Sequence, residues 1–361
     1  MRRFLSACLL IGATVSAGAT FARAKAAPLP ADLQAIKITA TGTLTPRYAL
    51  VHLYAEQGFK GYALVDSSGR IAWHYRTRDY PFGADRRRNG NFVFMDKGYG
   101  IVEVDRGGAI VHELKQRDPE NEMHHAIVVT PRDTVLYLAF DTEDVAGKRL
   151  KGEAIWEWNP DTGEDMKRWR SWDFMDPAFD RSARTAGEWL HGNSLAVGPG
   201  GNILLSFHYI NQVISIAPDW KSIQWRLGGV RPTIAVAADQ QTSAQHTAAE
   251  LANHRILMFD NRTDLQPPYS RAVEYAIDGT SAKQVWQWKA PDSNYASAVS
   301  SARRLVNGNT LVAFGMEKGR NGSTGPTEAF EVTPAGEVKW RLLVEGVMTL
   351  FRVEPIDSFE P

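Results

Sequence analysis

Tyr62-Ala-Leu-Val-Asp66-Ser-Ser-Gly69-Arg-Ile-Ala-Trp73 reads as a strand, a polar turn and a second strand ending in tryptophan. Asp and Gly at the centre are the residues a tight hairpin turn needs. The same unit recurs at Ile101–His112, around Asp105 and Gly108, and at Ile155–Gly163, leading to Trp169. It returns at Val213–Asp219 before Trp225, at Ala272–Gly279 before Trp286, and at Ala329–Gly336 before Trp340. Ahead of most copies lies a second strand pair with its own turn, as in Ala126–Ala139, Ser194–Ser206, Ala249–Phe259 and Ala302–Ala313, with Asn89–Phe94 a shorter version. Two hairpins make a four-stranded unit, and the turn markers Asp66, Asp105, Asn159, Asp219, Asp278 and Pro334 are about 40 to 60 residues apart, the period of propeller blades.

Six such units predict an all-β, six-bladed β-propeller closed by its chain ends, with Val347–Val353 and the strand around Tyr48–His52 as the closing pair. The recurring tryptophans are expected to stack between neighbouring blades. Stretches 141–153 and 316–326 read as surface loops, and Pro177–Leu190 as at most a short helical insertion.

Composition narrows the function. The chain has 361 residues, with 41 Lys+Arg against 41 Asp+Glu, and this balance argues against a nucleic-acid partner. Met1-Arg2-Arg3 followed by the uncharged run Phe4–Ala22 and two small-x-small sites reads as a cleaved export signal over residues 1–26, leaving 27–361 as one propeller domain. Cys8 is preceded by too few residues for a lipidation signal. Cleavage removes four of the basic residues and Cys8, the one cysteine, so the mature chain carries no thiol chemistry and no membrane-spanning segment. The expected location is the periplasm or the exterior.

In a propeller the innermost strands start at one face, where residues from different blades converge. His124 and His125 precede Ala126, His191 precedes Ser194 and His246 precedes Ala249, so three of the six inner strands begin with histidine. Recurrence at equivalent positions marks a site, because clustered imidazoles have no packing advantage over apolar residues. Three histidines can bind zinc, but no carboxylate accompanies these motifs and Asp260 is expected at the far side of its blade, so no metal is assigned. His52, His74, His112 and His254 are expected at edges or turns.

Gln245-His246-Thr247-Ala248, followed by Phe259-Asp260-Asn261, resembles the aryl-sulfate sulfotransferase family, bacterial arylsulfotransferases independent of nucleotide-sulfate donors. Trp189-Leu-His191-Gly-Asn193-Ser194, His124-His125, Trp225–Gly229 and Arg304–Leu311 extend the resemblance over roughly residues 60–345. It implies transfer of a sulfuryl group from a phenolic sulfate ester to a phenol, with His246 as nucleophile. His191 and His125 or His124 would support it, spacing favouring His125, and Asn193 would bind the sulfate oxygens. His208 stands where similar proteins carry an arginine that contacts the sulfuryl group, and Glu188 where they carry aspartate.

The chemistry is consistent with the residues. Neutral imidazole is a nucleophile near pH 7, and negative charge developing on three equatorial oxygens calls for N–H donors or cations, which His191, His125, Asn193 and His208 can supply. A sulfo-histidine cycle of this kind needs no metal and no cofactor. The rival from another class is a propeller that binds a ligand or partner without catalysis, favoured by His208 in place of arginine. A zinc- or calcium-dependent hydrolase would be told apart by chelation, and the cysteine pairs typical of quinoprotein dehydrogenases are absent.

Overall fold

A computed structural model describes residues 28–182, 187–267, 269–291, 295–316 and 327–359. The export signal expected at 1–26 and most of the loop expected at 316–326 lie outside them. The described chain forms six sheets of four antiparallel strands, two of them extended by a fifth at the outer edge, and each four-stranded blade is built from consecutive segments except the first. Successive innermost strands pack side by side and the last returns to the first, which closes the propeller.

Blade one takes its innermost strand, Thr349–Ile356, from the end of the chain and its next three, Tyr48–Tyr54, Lys60–Asp66 and Ile71–Arg76, from the beginning. The register runs from Tyr48 opposite Ile356 to Tyr54 opposite Thr349, the closure expected from sequence. A second clasp was not anticipated: Lys37–Gly42 adds a fifth strand to blade six, antiparallel to Val338–Glu345. The innermost strands of blades two to six are Pro81–Arg86, Met123–Val129, Gly192–Val197, His246–Leu251 and Ser301–Arg304.

The recurrent tryptophans join neighbouring blades in a repeated way. The Trp73 indole donates to the Arg106 carbonyl, Trp286 to that of Pro334 and Trp340 to that of Ser67. Each acceptor sits in the outer hairpin turn of the following blade, so the turn that ends one repeat is the docking point of the previous one. Trp340 is fully buried in the cluster that joins blades six and one, with Leu53, Leu311 and Leu342. Trp340→Ala is expected to cost ~3–5 kcal/mol, read from urea unfolding, because it removes a large core side chain at the ring's closing seam.

One sequence expectation changes. Residues 141–153 are not a loop: Val135–Val145 and Lys148–Trp158 pair over eleven residues each and form a long hairpin that projects from blade three. Asp141 holds this hairpin to the next strand through Arg170 Nε at 2.7 Å and Lys167 Nζ at 2.9 Å, so its polar residues are satisfied across the sheet. Ser171–Asp173 forms a 3₁₀ turn ahead of the insertion read at Pro177–Leu190, whose residues 183–186 lie outside the described ones and whose described residues carry no α-helix.

Candidate functional site

Most inner strands begin irregularly. Register shifts occur near the starts of those of blades two, three, four and five, at Pro81/Ala84, Tyr137/Ala139, Gly192/Ser194 and His246/Ala249. His125 and His191 have φ of 56° and 57°, and Thr247, next to His246, has 53°. A bulge re-aims the side chains beside it. A left-handed conformation costs a non-glycine residue of order 1 kcal/mol or more and persists where its surroundings enforce it. Here the irregularities gather histidines from three blades at one mouth of the channel.

The rings form an arc. His125 lies 4.7 Å from His191 between ring centroids, His191 5.4 Å from His208, and His208 5.6 Å from His246. His125 is the member of its pair that joins the arc, packed against Phe82 at 5.0 Å. His124 sits behind it, stacked on Phe140 at 4.0 Å, with its Nδ1 2.9 Å from His125 Nδ1.

Three of the histidines have a backing residue to which the sequence reading gave no role. His246 Nδ1 lies 2.8 Å from Asn261 Oδ1 and 3.0 Å from the Ala244 carbonyl. The Asn261 amide is fixed the other way round, since its Nδ2 donates to the carbonyls of Ala296 and Val299 at 2.9 and 3.3 Å. Both neighbours of His246 Nδ1 are therefore acceptors. That nitrogen carries the proton, and Nε2 keeps a bare lone pair. His191 Nδ1 lies 2.6 Å from Glu188 Oε2, and its ring stacks on Tyr209 at 4.8 Å. Glu188 is mostly withdrawn from water, which would raise its pKa, but the His191 contact holds it below the usual carboxylate range. His124 Nε2 stands 3.1 Å from Glu153 Oε2, off the line of a hydrogen bond, while Glu153 Oε1 accepts from the Gly192 N–H at 2.6 Å. A Cβ at Gly192 would stand 3.0 Å from the Glu153 carboxylate, which explains glycine beside His191.

Carboxylates thus do accompany the histidines, against the sequence expectation. They serve as anchors behind the rings, and among the described residues no three His, Cys, Asp or Glu are grouped to hold a metal. Asp260 also departs from expectation. It follows Phe259, which pairs with His246, so it lies at the same end of the blade, where it binds Arg271 Nε at 2.9 Å and the Ser243 N–H at 2.9 Å. His52 is neither edge nor turn: it is fully buried, its Nδ1 2.8 Å from the Phe82 carbonyl.

Asn193 is buried beside His246. Its Nδ2 donates to the Gln245 carbonyl at 2.7 Å, and its Oδ1 is buried with no hydrogen-bond partner. Gln245 itself clamps blade four, donating to Ser206 Oγ and to the carbonyls of Phe207 and Gln212 at 3.0 to 3.1 Å.

Desolvation dominates the electrostatics. It drives the His246 pKa down to about 3, against the opposing pull of Asn261, and Arg352 and His191 add to the fall. His125 is pushed well below the ordinary imidazole value, first by desolvation and then by His191, His124 and His246. At neutral pH both are uncharged, so His246 presents a neutral imidazole whose Nε2 is its only free lone pair.

Fold and site together define a six-bladed propeller with a histidine cluster at one mouth of its channel. Residues 36–348 match the model of the family described as Arylsulfotransferase (ASST), which spans most of the sequence. The chain belongs to that family. Among curated proteins none matches significantly. Among solved structures, a Bacteroides caccae protein of unknown function is similar at 17% identity and a TM-score of 0.60, covering 87% of this chain and 100% of its own. A virginiamycin B lyase from Staphylococcus aureus is similar at 9% identity and a TM-score of 0.44, covering 86% of this chain and 99% of its own. At these identities the likeness to the Bacteroides protein speaks for the fold alone.

Proposed function

We propose that this protein transfers a sulfuryl group from a phenolic sulfate ester to a phenol through a sulfo-histidine at His246. Family membership supports sulfotransfer to a small-molecule acceptor. The observation that carries the mechanism is the orientation of Asn261, which keeps the His246 proton on Nδ1 and the lone pair on Nε2.

In the first half-reaction Nε2 attacks sulfur, the N–S bond forms and the S–O bond to the aryl group breaks. The aryloxide leaves with the electron pair and takes a proton from a neighbouring imidazole, for which His191, backed by Glu188, is suited. In the second half the acceptor phenol returns a proton to that imidazole while its oxygen attacks sulfur. The N–S bond breaks and His246 is restored. His125, His208 and the Asn193 amide are the polar groups arranged to meet the sulfuryl oxygens.

The test is to mix stoichiometric protein with a chromogenic aryl sulfate and no acceptor. One phenol per site should appear as a burst, intact mass should rise by one sulfuryl group, and turnover should follow only when a phenol is added. Neither burst nor adduct with a panel of phenolic sulfates would favour a binding-only propeller.

Export belongs to the same reading. The basic start and uncharged run of residues 1–26 favour secretion to the periplasm or beyond. Protein recovered from outside the cytoplasm should begin near Lys25 or Ala27, and N-terminal sequencing that finds Met1 on cytoplasmic protein would overturn it.

A further inference from the structure

The uncharged state of His125 and His246 leaves a gap, because a transferring sulfuryl group spreads negative charge over three oxygens and gains most from a fixed cation. A guanidinium stands at the floor of the arc. Arg352, on the innermost strand of blade one, is 3% exposed, and its Nη2 crosses the channel to donate to the Asn193 carbonyl of blade four at 2.5 Å. Its Nε is buried with no partner. Among the described residues no carboxylate lies within ion-pair distance of it. Glu354, two residues on, attracts Arg352 from a distance, but both of its oxygens are engaged by Arg303, at 2.6 and 2.8 Å. On its other side Arg352 lines a cavity of 590 Å³ at the far end of the channel, shared with Asp85, Arg303 and Glu354.

A buried guanidinium with no carboxylate in contact is costly, and folded proteins retain one where an anion completes the pair. Position supplies the rest. Asn193, which Arg352 touches, is bonded to the Gln245 carbonyl next to His246, so two residues link the cation to the proposed nucleophile, and its charge is felt at both His246 and His125. Resting on the sulfotransfer reading above, we propose that Arg352 is the sulfuryl-binding cation of this site, reaching up from blade one to hold the oxygens of the group while His246 attacks its sulfur.

The alternative for Arg352 is a strut that ties blade one to blade four, and the two roles separate on substitution. Arg352→Met replaces an unpaired buried charge by an apolar chain of similar length. If the arginine serves an anion, the ligand-free variant should unfold at a urea concentration equal to or above that of the wild type. Inorganic sulfate, the probe, should raise the melting temperature of the wild type and of Arg352→Lys but not that of Arg352→Met. The single-turnover burst should slow by roughly 10²–10³-fold in Arg352→Met. A methionine variant that fails to fold, or unfolds at clearly lower urea, identifies a strut and overturns the proposal. So does sulfate stabilisation that survives in Arg352→Met, or is missing from the wild type. A wild type that is stabilised by sulfate through Arg352 but forms no adduct with any phenolic sulfate would leave the anion site standing and refute the transfer reaction instead.

Discussion

Replacing His246 by asparagine is expected to abolish both the phenol burst and the sulfuryl adduct, a loss on the order of 10⁴–10⁶-fold, because no other group on this face has the same lone pair at the same point. Digestion of the wild-type adduct should place the added mass on the peptide containing His246. His191→Asn should retain the adduct but form it roughly 10²–10⁴-fold more slowly, as expected for loss of a proton donor rather than the nucleophile. Since burial holds the His246 pKa at about 3, the nucleophile stays unprotonated at pH 5. The amplitude of the burst should therefore be the same at pH 5 as at pH 7. A burst that survives in the asparagine variant would move the nucleophile elsewhere, with His125 next in line.

The second large effect concerns stability in mild acid. His52 and His246 both have pKa values pushed down to about 3, in each case first by burial. Unfolded, each would titrate near ~6.5. Between these values the unfolded chain binds more protons than the native one, so stability is full above pH 6.5 and is lost as the pH falls toward 3. Asp85, raised by burial to about 6, works in the opposite direction over part of the window. A comparison of variants removes that offset. His52→Gln can keep the bond to the Phe82 carbonyl without titrating. It should lessen the acid dependence by ~1.4 kcal/mol per pH unit below 6.5, about 2 kcal/mol by pH 5. Urea unfolding of both proteins at pH 7, 6 and 5 measures this. Parallel pH dependences would show that His52 is charged in the folded state.

The blades and their closure were legible because the repeats spell out similar turns and five of the six lead to a tryptophan, three of which donate to the turn of the following blade. The histidines were legible because they recur at the start of inner strands, where β topology gathers them. What escaped lies off that pattern. Asn261 acts from the end of a second strand, Glu153 from a third strand and Glu188 from a loop, and no periodicity links them to the rings they hold. Arg352 was read only as part of a closing strand. Residues 141–153 looked like a loop because their polar run carries no apolar alternation; cross-strand pairs such as Asp141 with Arg170 replace the buried face that marks most strands. Lys37–Gly42 is short and largely exposed, and it becomes a strand only because blade six offers it an open edge.

The innermost strand of blade one has a further consequence in the order of events during synthesis. Thr349–Ile356 leaves the ribosome after all the other blade strands, yet it carries Phe351, which packs on Phe82, and Arg352, which meets Asn193. The first blade made is thus the last to be finished, and until then Tyr48–Tyr54 has no partner on its channel side. Contacts that join the two ends of a long chain close late. A nascent chain can build blades two to five in sequence, but its histidines have no floor beneath them and the ring has no seam. The ring in this architecture closes only when Thr349–Ile356 is in place, and a ribosome that stalls short of Thr349 releases an open array of blades.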